Sequence, residues 1–259
     1  MLAIMPKLAA NLSMLFTELD FLERFAAARA AGFCHVEYQF PYAFSADDIA
    51  AAARQAGVSV VLHNLPAGDL AQGERGIASL PGREAEFREG VERAISHASA
   101  VRCPRLNCLA GLAPVDDAHF QTLVANVRYA ARRLGEVGIQ LMIEAINTRS
   151  VPGFFLSGSQ QAVDVLNAAG EGNAFLQYDH FHMQIMEGDL ACTMERLLPR
   201  IGHVQIADVP HRHEPGTGEI NFGFLLGHLD RIGYSGWVGC EYNPRGDTLA
   251  GLTWAKPYL

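Results

Sequence analysis

The chain has 259 residues, 49% of them hydrophobic, and its 20 lysines and arginines against 28 aspartates and glutamates leave a formal charge of −8. That balance argues against nucleic-acid binding, which needs a basic face because phosphate contacts supply most of its affinity. No apolar run reaches the ~18 residues of a membrane span, the start MLAIMPKLAANLSM lacks the charged head and continuous apolar core of a signal peptide, and the five cysteines form no CxxC pair, so the chain reads as a cytoplasmic protein with reduced thiols.

The first predicted element is a strand, KLAANLS (7–13). One unit then recurs: a helical stretch ends in glycine, an apolar strand follows, and a polar group closes it. FLERFAAARAAG runs into FCHVE, closing at Glu37, and ADDIAAAARQAG into VSVVLH, closing at His63. After the glycine-rich segment 67–83, which reads as a mobile loop, FREGVERAISHASAVRC runs into PRLNCLAG, with Asn107 near its end. HFQTLVANVRYAARRLGEVG leads to IQLMIE and Glu144, and SQQAVDVLNAAGEG to NAFLQYD and Asp179. MERLLPRIG leads to HVQIAD, with Gln205 and Asp208 late in it, and FGFLLGHLDRIG to YSGWVGCE and Glu241.

Leu22, Phe25 and Ala26, or Phe120, Leu123, Val124 and Val127, recur at helical spacing. The glycines suit left-handed helix C-caps, and near-continuous apolar strands suit a parallel sheet covered on both faces. Eight strands alternating with helices predict a single (β/α)8 barrel over residues 1–259, close to the ~250 residues such barrels use. A doubly wound open sheet is the second choice, weakened because no G-x-G-x-x-G follows the first strand.

A barrel gathers its strand ends at one mouth, where the active site lies. Glu37, His63, Asn107, Glu144, Asp179, Gln205 and Glu241 would then share one site instead of being stranded singly in a core, which would be costly. Glu144, Asp179, Gln205 and Glu241, from successive strands, form an all-oxygen set suited to one hard divalent ion, Mg²⁺ or Mn²⁺. Two glutamates across such an ion suit proton transfer between neighbouring carbons. His182, three residues past Asp179 in a predicted loop, and His63 are candidate substrate contacts. Arg149 and Arg212, in loops after strand ends, are candidates for gripping a substrate carboxylate.

The segments EAINTR (144–149), YDHFHMQIMEGDL (178–190), GHVQIADVPHRHEPGTGEINF (202–222) and GYSGWVGCEYNP (233–244) resemble the hydroxypyruvate isomerase family, with its 2-oxo-tetronate isomerase relatives, among the xylose-isomerase-like barrels. The likeness runs from KLAANLSMLF (7–16) to GLTWAKPYL (251–259). It implies Glu144 and Glu241 as the acid/base pair, and a metal held by Glu144, Asp179, Gln205 and Glu241 whose need for turnover stays open. The expected reaction is hydroxypyruvate to 2-hydroxy-3-oxopropanoate, with 2-oxo-tetronate isomerisation one carbon away. Ketose 3-epimerases resemble the chain in the metal carboxylates and His182, but usually have histidine at the position of Gln205 and a glutamate at that of Ser150. Zinc-dependent abasic-site endonucleases share an Asp-x-x-His like Asp179–His182, yet Gln205 is a poor zinc ligand. A non-catalytic sugar-acid-binding barrel is the reading from another class. The apolar tail 251–259 is a candidate interface between copies of the chain.

Overall fold

The computed structural model describes residues 6–259; residues 1–5, and with them the reading of the chain's start, lie outside it. Eight parallel strands pair in sequence order and close on themselves: β1 (Lys7–Asn11), β2 (His35–Glu37), β3 (Ser59–Asn64), β4 (Arg105–Cys108), β5 (Gln140–Glu144), β6 (Ala174–Asp179), β7 (Ile201–Ile206) and β8 (Trp237–Cys240). Closure comes from β8 pairing with β1, with Lys7 opposite Trp237 and Ala10 opposite Cys240. The ring of helices comprises α1 (Arg24–Ala30), α2 (Ala46–Ala56), α3 (Glu84–Val101), α4 (Asp117–Gly135), α5 (Ser159–Ala169), α6 (His180–Met186), α7 (Leu190–Leu197), α8 (Phe222–Ile232) and α9 (Thr248–Gly251). Each long helix turns an apolar stripe inward, as Phe87, Val91, Ala94 and Ala98 do on α3. A small separate cluster of Ala9, Val61, Leu62 and Met142, with Phe175 and Trp237 against it, packs apart from the main core.

Two expectations are corrected. Glycine caps α2, α5 and α8 in the left-handed conformation, at Gly57, Gly170 and Gly233, but α3 ends on Arg102 at φ 54° and Gly202 lies inside β7. Pro199 cannot continue a helix, so α7 stops at Leu197, one 3₁₀ turn follows, and the strand already begins at Ile201. Gly202 serves close packing instead: a Cβ there would meet Met142 Sδ and Phe175 Cβ, each at 2.7 Å. The second correction concerns His182. The residues after Asp179 are not a loop but α6, which starts directly at the strand end because the Asp179 carboxylate accepts the Phe181 N–H. No helix among the described residues is long and apolar enough to cross a membrane, and all five cysteines are free thiols.

Candidate active site

Glu144 and Asp179 are the last residues of β5 and β6, Gln205 is next to last in β7, and Glu241 follows β8 directly. All four are buried. Glu144 Oε2 accepts from Asn107 Nδ2 and Gln177 Nε2, each at 3.0 Å. Gln177 Nε2 also donates to Gln205 Oε1 at 2.7 Å, and Gln205 Nε2 donates to Glu37 Oε1 at 2.7 Å. Glu37 takes two further donors, Asn11 Nδ2 at 2.9 Å and His203 Nε2 at 2.7 Å. Glu241 Oε1 accepts from Asn11 Nδ2 at 3.1 Å and Gln39 Nε2 at 3.0 Å. The mouth is thus one connected polar network, held from below by amides, where an unpaired polar group would be costly.

Arg212 supplies the counter-charge. Its Nη2 donates to Glu241 Oε2 at 2.5 Å and approaches Asp179 Oδ2 at 3.4 Å, while its Nε reaches the Glu241 carbonyl at 3.4 Å. Its guanidinium also lies 5.1 Å over the Phe181 ring. Arg212 stands at φ 59°, a left-handed conformation that a non-glycine residue adopts at a cost. The loop that imposes it is built on buried Asp208, whose carboxylate accepts the N–H groups of Val209, Gly216, Gly218 and Ile220. In PGTG, a Cβ at Gly218 would overlap the Val209 carbonyl and Asp208 Oδ1, and Gly216 stands at φ 89°.

His182 joins the acids. Ligand atoms of Glu144, Asp179 and His182 all lie within 4.8 Å of one another. His182 Nε2 stands 3.5 Å from Asp179 Oδ2 and 3.8 Å from Glu144 Oε1. Its Nδ1 faces the Asn147 N–H at 3.3 Å and Asn147 Nδ2 at 2.6 Å. Two donors on Nδ1 leave the ring hydrogen on Nε2, directed at the carboxylates; its exchange for a cation is what would turn this cluster into a metal centre.

Burial raises Glu144 well above the usual carboxylate range, and the neighbouring Glu241 and Asp179 charges push the same way. Burial pushes Asp179 up to about 7 against the pull of Arg212, and raises Glu241, again with Arg212 opposing. Burial, then Arg212, holds His182 well below the ordinary histidine value, so the ring is neutral. Three carboxylates share one guanidinium, an excess of negative charge that a divalent cation would relieve.

A cavity of about 390 Å³ opens over this set, with Glu144, His182, Arg212 and Glu241 in its wall. His63 and Arg149 are not in that wall. His63 is buried in β3, stacked on Tyr38 at 5.8 Å between centroids, with Nδ1 3.1 Å from the Asn64 carbonyl. Burial lowers it to about 4. Arg149 is exposed. Gln39, Asn64 and Arg75 do line the cavity, and the sequence reading missed them, along with Gln177 and His203. Gln177 and His203 carried a signal: each lies two residues before a site residue on the same strand, hence on the same face.

The chain matches the family model described as Xylose isomerase-like TIM barrel over residues 25–258. It is 49% identical to hydroxypyruvate isomerase of Escherichia coli over 257 residues, 98% of this chain and 100% of that one. It is 46% identical to 2-oxo-tetronate isomerase of Pectobacterium atrosepticum over 258 residues, 98% of each. The crystal structure of an AP endonuclease, family 2, from Brucella melitensis superimposes with a TM-score of 0.96 at 47% identity, covering 98% of this chain and 99% of that chain.

Proposed function

The chain belongs to the xylose isomerase-like TIM barrel family, and from that premise we propose that it isomerises a small 2-oxo-3-hydroxy acid, hydroxypyruvate first, by moving a proton between adjacent carbons. The observation that carries this reading is the pair Glu144 and Glu241, two buried carboxyl groups in the wall of one cavity. Isomerase relatives at 46–49% identity support the reaction type.

Glu241 is the base in this reading: Arg212 at 2.5 Å favours its ionised form. It takes a proton from C3 of hydroxypyruvate. The C3 hydroxyl and C2 carbonyl oxygens exchange one hydrogen, and Glu144 returns a proton to C2, giving 2-hydroxy-3-oxopropanoate. The amides of Asn107, Gln177 and Gln39 hold the two carboxyl groups in place.

The donor set fits one divalent ion, Mg²⁺ or Mn²⁺, held by Glu144, Asp179 and His182, with the oxygens of Gln205 and Glu241 as its other candidate ligands. One imidazole among carboxylates inclines the choice toward Mn²⁺. When bound, the ion acts as a Lewis acid on the substrate oxygens and stabilises the charge that develops there.

The substrate one carbon longer, 2-oxo-tetronate, is supported by the relative of that name, and a methylene-sized change in a pocket is worth only ~1–3 kcal/mol. The Brucella structure, an AP endonuclease by name, supports hydrolysis of abasic DNA as a further reading; the charge of −8 opposes it. The deciding experiment follows hydroxypyruvate, its four-carbon homologue and an abasic duplex in D₂O with Mn²⁺. Isomerisation with solvent deuterium at C2 is expected. Isomerisation with complete hydrogen retention, also in a slowed variant, defeats the proton route, and DNA cleavage alone defeats the whole reading.

A further inference from the structure

If the substrate is a 2-oxo acid, it carries a carboxylate into a cavity whose wall already holds Glu144 and Glu241. A cationic side chain in the wall would offset that charge. Arg212 is engaged: Nη2 and Nε are directed at Glu241 and Asp179. Arg149, exposed like Arg75, lies outside the cavity wall. His182 is turned to the protein's own groups, with Nδ1 facing Asn147 and Nε2 3.5 Å from Asp179 Oδ2 and 3.8 Å from Glu144 Oε1. The remaining cationic side chain in that wall is Arg75.

Arg75 pairs with no carboxylate among the described residues. Its Nη1 donates to two backbone carbonyls, Glu74 at 2.7 Å and Leu70 at 3.3 Å. Those bonds orient the guanidinium without cancelling its charge. Its backbone is oriented as well, because both sequence neighbours are pinned. The Glu74 carboxylate accepts the Asp69 N–H at 2.6 Å and pairs with Arg83 at 2.7 Å. Gly76, at φ 115°, bridges to Ala110 and lies so close to the Leu109 carbonyl that a Cβ would overlap it. Asp69 accepts from the Ala71 and Gln72 N–H groups at 3.0 and 3.2 Å, closing the 3₁₀ turn Leu70–Gln72. The glycine-rich segment 67–83 is therefore a braced arm, with Arg75 at the one position whose side chain faces the cavity with its charge unspent.

We propose that Arg75 is the carboxylate anchor of this site: its guanidinium receives the C1 carboxylate of the 2-oxo acid, selecting acids over uncharged α-hydroxyketones. The anchor rests on the isomerase reading above. It assigns a division of labour in which Arg212 serves the enzyme's own carboxylates and Arg75 serves the substrate's. A guanidinium in this role supplies two parallel donors, which an ammonium cannot reproduce.

The test compares wild type, Arg75→Gln and Arg75→Lys on hydroxypyruvate and on dihydroxyacetone, which replaces the carboxylate by a hydroxymethyl group. Dihydroxyacetone is read as a substrate or, where its turnover is too slow to follow, through its competitive Ki. Losing a hydrogen bond to a charged group costs ~10–100-fold, so Arg75→Gln raises KM for hydroxypyruvate by that factor. Its kcat changes only a few-fold, and the dihydroxyacetone constant moves less than ~3-fold on the same grounds. Arg75→Lys recovers part of the loss. An unchanged KM for hydroxypyruvate overturns the assignment, and so does a loss that falls equally on both compounds. Wild type that turns over neither hydroxypyruvate nor its four-carbon homologue fails earlier, and defeats the isomerase reading itself.

Discussion

The two mouths of the barrel are built from the same eight strands and carry opposite charge. At the C-terminal mouth Glu37, Glu144, Asp179 and Glu241 lie buried, tied to amides and to Arg212. At the N-terminal mouth Lys7 and Arg105 lie over Trp237, at 5.7 and 4.4 Å from its ring. A second cavity of about 340 Å³ opens there, lined by Arg105, Gln140, Phe175 and Trp237 with no carboxylate in its wall. The connections explain the contrast. The segments entering the strands are short turns such as 102–104 and 170–173, which do little more than end a helix. Apart from β6, which runs straight into α6, the segments leaving them are longer: 65–83 delivers Arg75, and 207–221 delivers Arg212 on a frame built by Asp208. Strand ends followed by long loops can converge many side chains on one point, as they do at this mouth.

If that division is right, changes at the C-terminal mouth remove activity and leave the fold, while changes at the N-terminal mouth do the reverse. The largest expected effect is on turnover. Glu144→Gln and Glu241→Gln each lower kcat by ~10²–10⁴-fold, with urea-unfolding stability kept or raised because one of several crowded like charges is gone. More than a tenth of wild-type activity in either variant removes that residue from acid/base work.

Next comes cation binding. Asp179→Asn and His182→Gln weaken Mn²⁺ binding by at least ~10–100-fold, read from the free-ion signal in an electron paramagnetic resonance titration. Equal Mn²⁺ affinity in wild type and both variants moves the ion away from this mouth.

The third effect is a pH window. His63 is held neutral by burial, at about 4 in the fold against 6.5 in the unfolded chain. The unfolded chain therefore binds the extra proton between those values, and stability is present above 6.5 and lost as pH falls toward 4. At pH 4.5 this amounts to ~2–3 kcal/mol. Because the raised carboxyl groups oppose it, the quantity to read is the stability difference between wild type and His63→Gln, which shrinks by that amount from pH 7.5 to 4.5. A difference that does not change with pH means His63 titrates in the fold as it does in the unfolded chain.

The smallest expected effect belongs to the other mouth. Gly202→Ala pushes a methyl against Met142 and Phe175 and lowers stability by ~1–3 kcal/mol. KM and kcat per folded molecule stay at wild-type values. A loss of kcat comparable to that of the glutamate variants would end the separation between the two mouths.

Much of this is legible in the sequence for local reasons. The alternation of amphipathic helix and apolar strand is a short-range pattern, and it determined the (β/α)8 barrel. A carboxylate or amide at the end of an apolar run is local too, so Glu144, Asp179, Gln205 and Glu241 stand out from the amino-acid order alone. What joins them is not local. Glu37 meets Gln205 across 168 positions, and Gln39 meets Glu241 across 202, because β1 closes against β8 and strand register sets which side chains share a layer. Whether an arginine turns toward the enzyme's acids or toward the cavity depends on how its loop is braced: Arg212 by Asp208, Arg75 by Glu74 and Gly76. His182 reaches the acids only because α6 starts without a loop at Asp179. Periodicity and propensity act over one turn or one strand, whereas these positions are set by closure and loop bracing over the whole chain, and only the tertiary structure decided them.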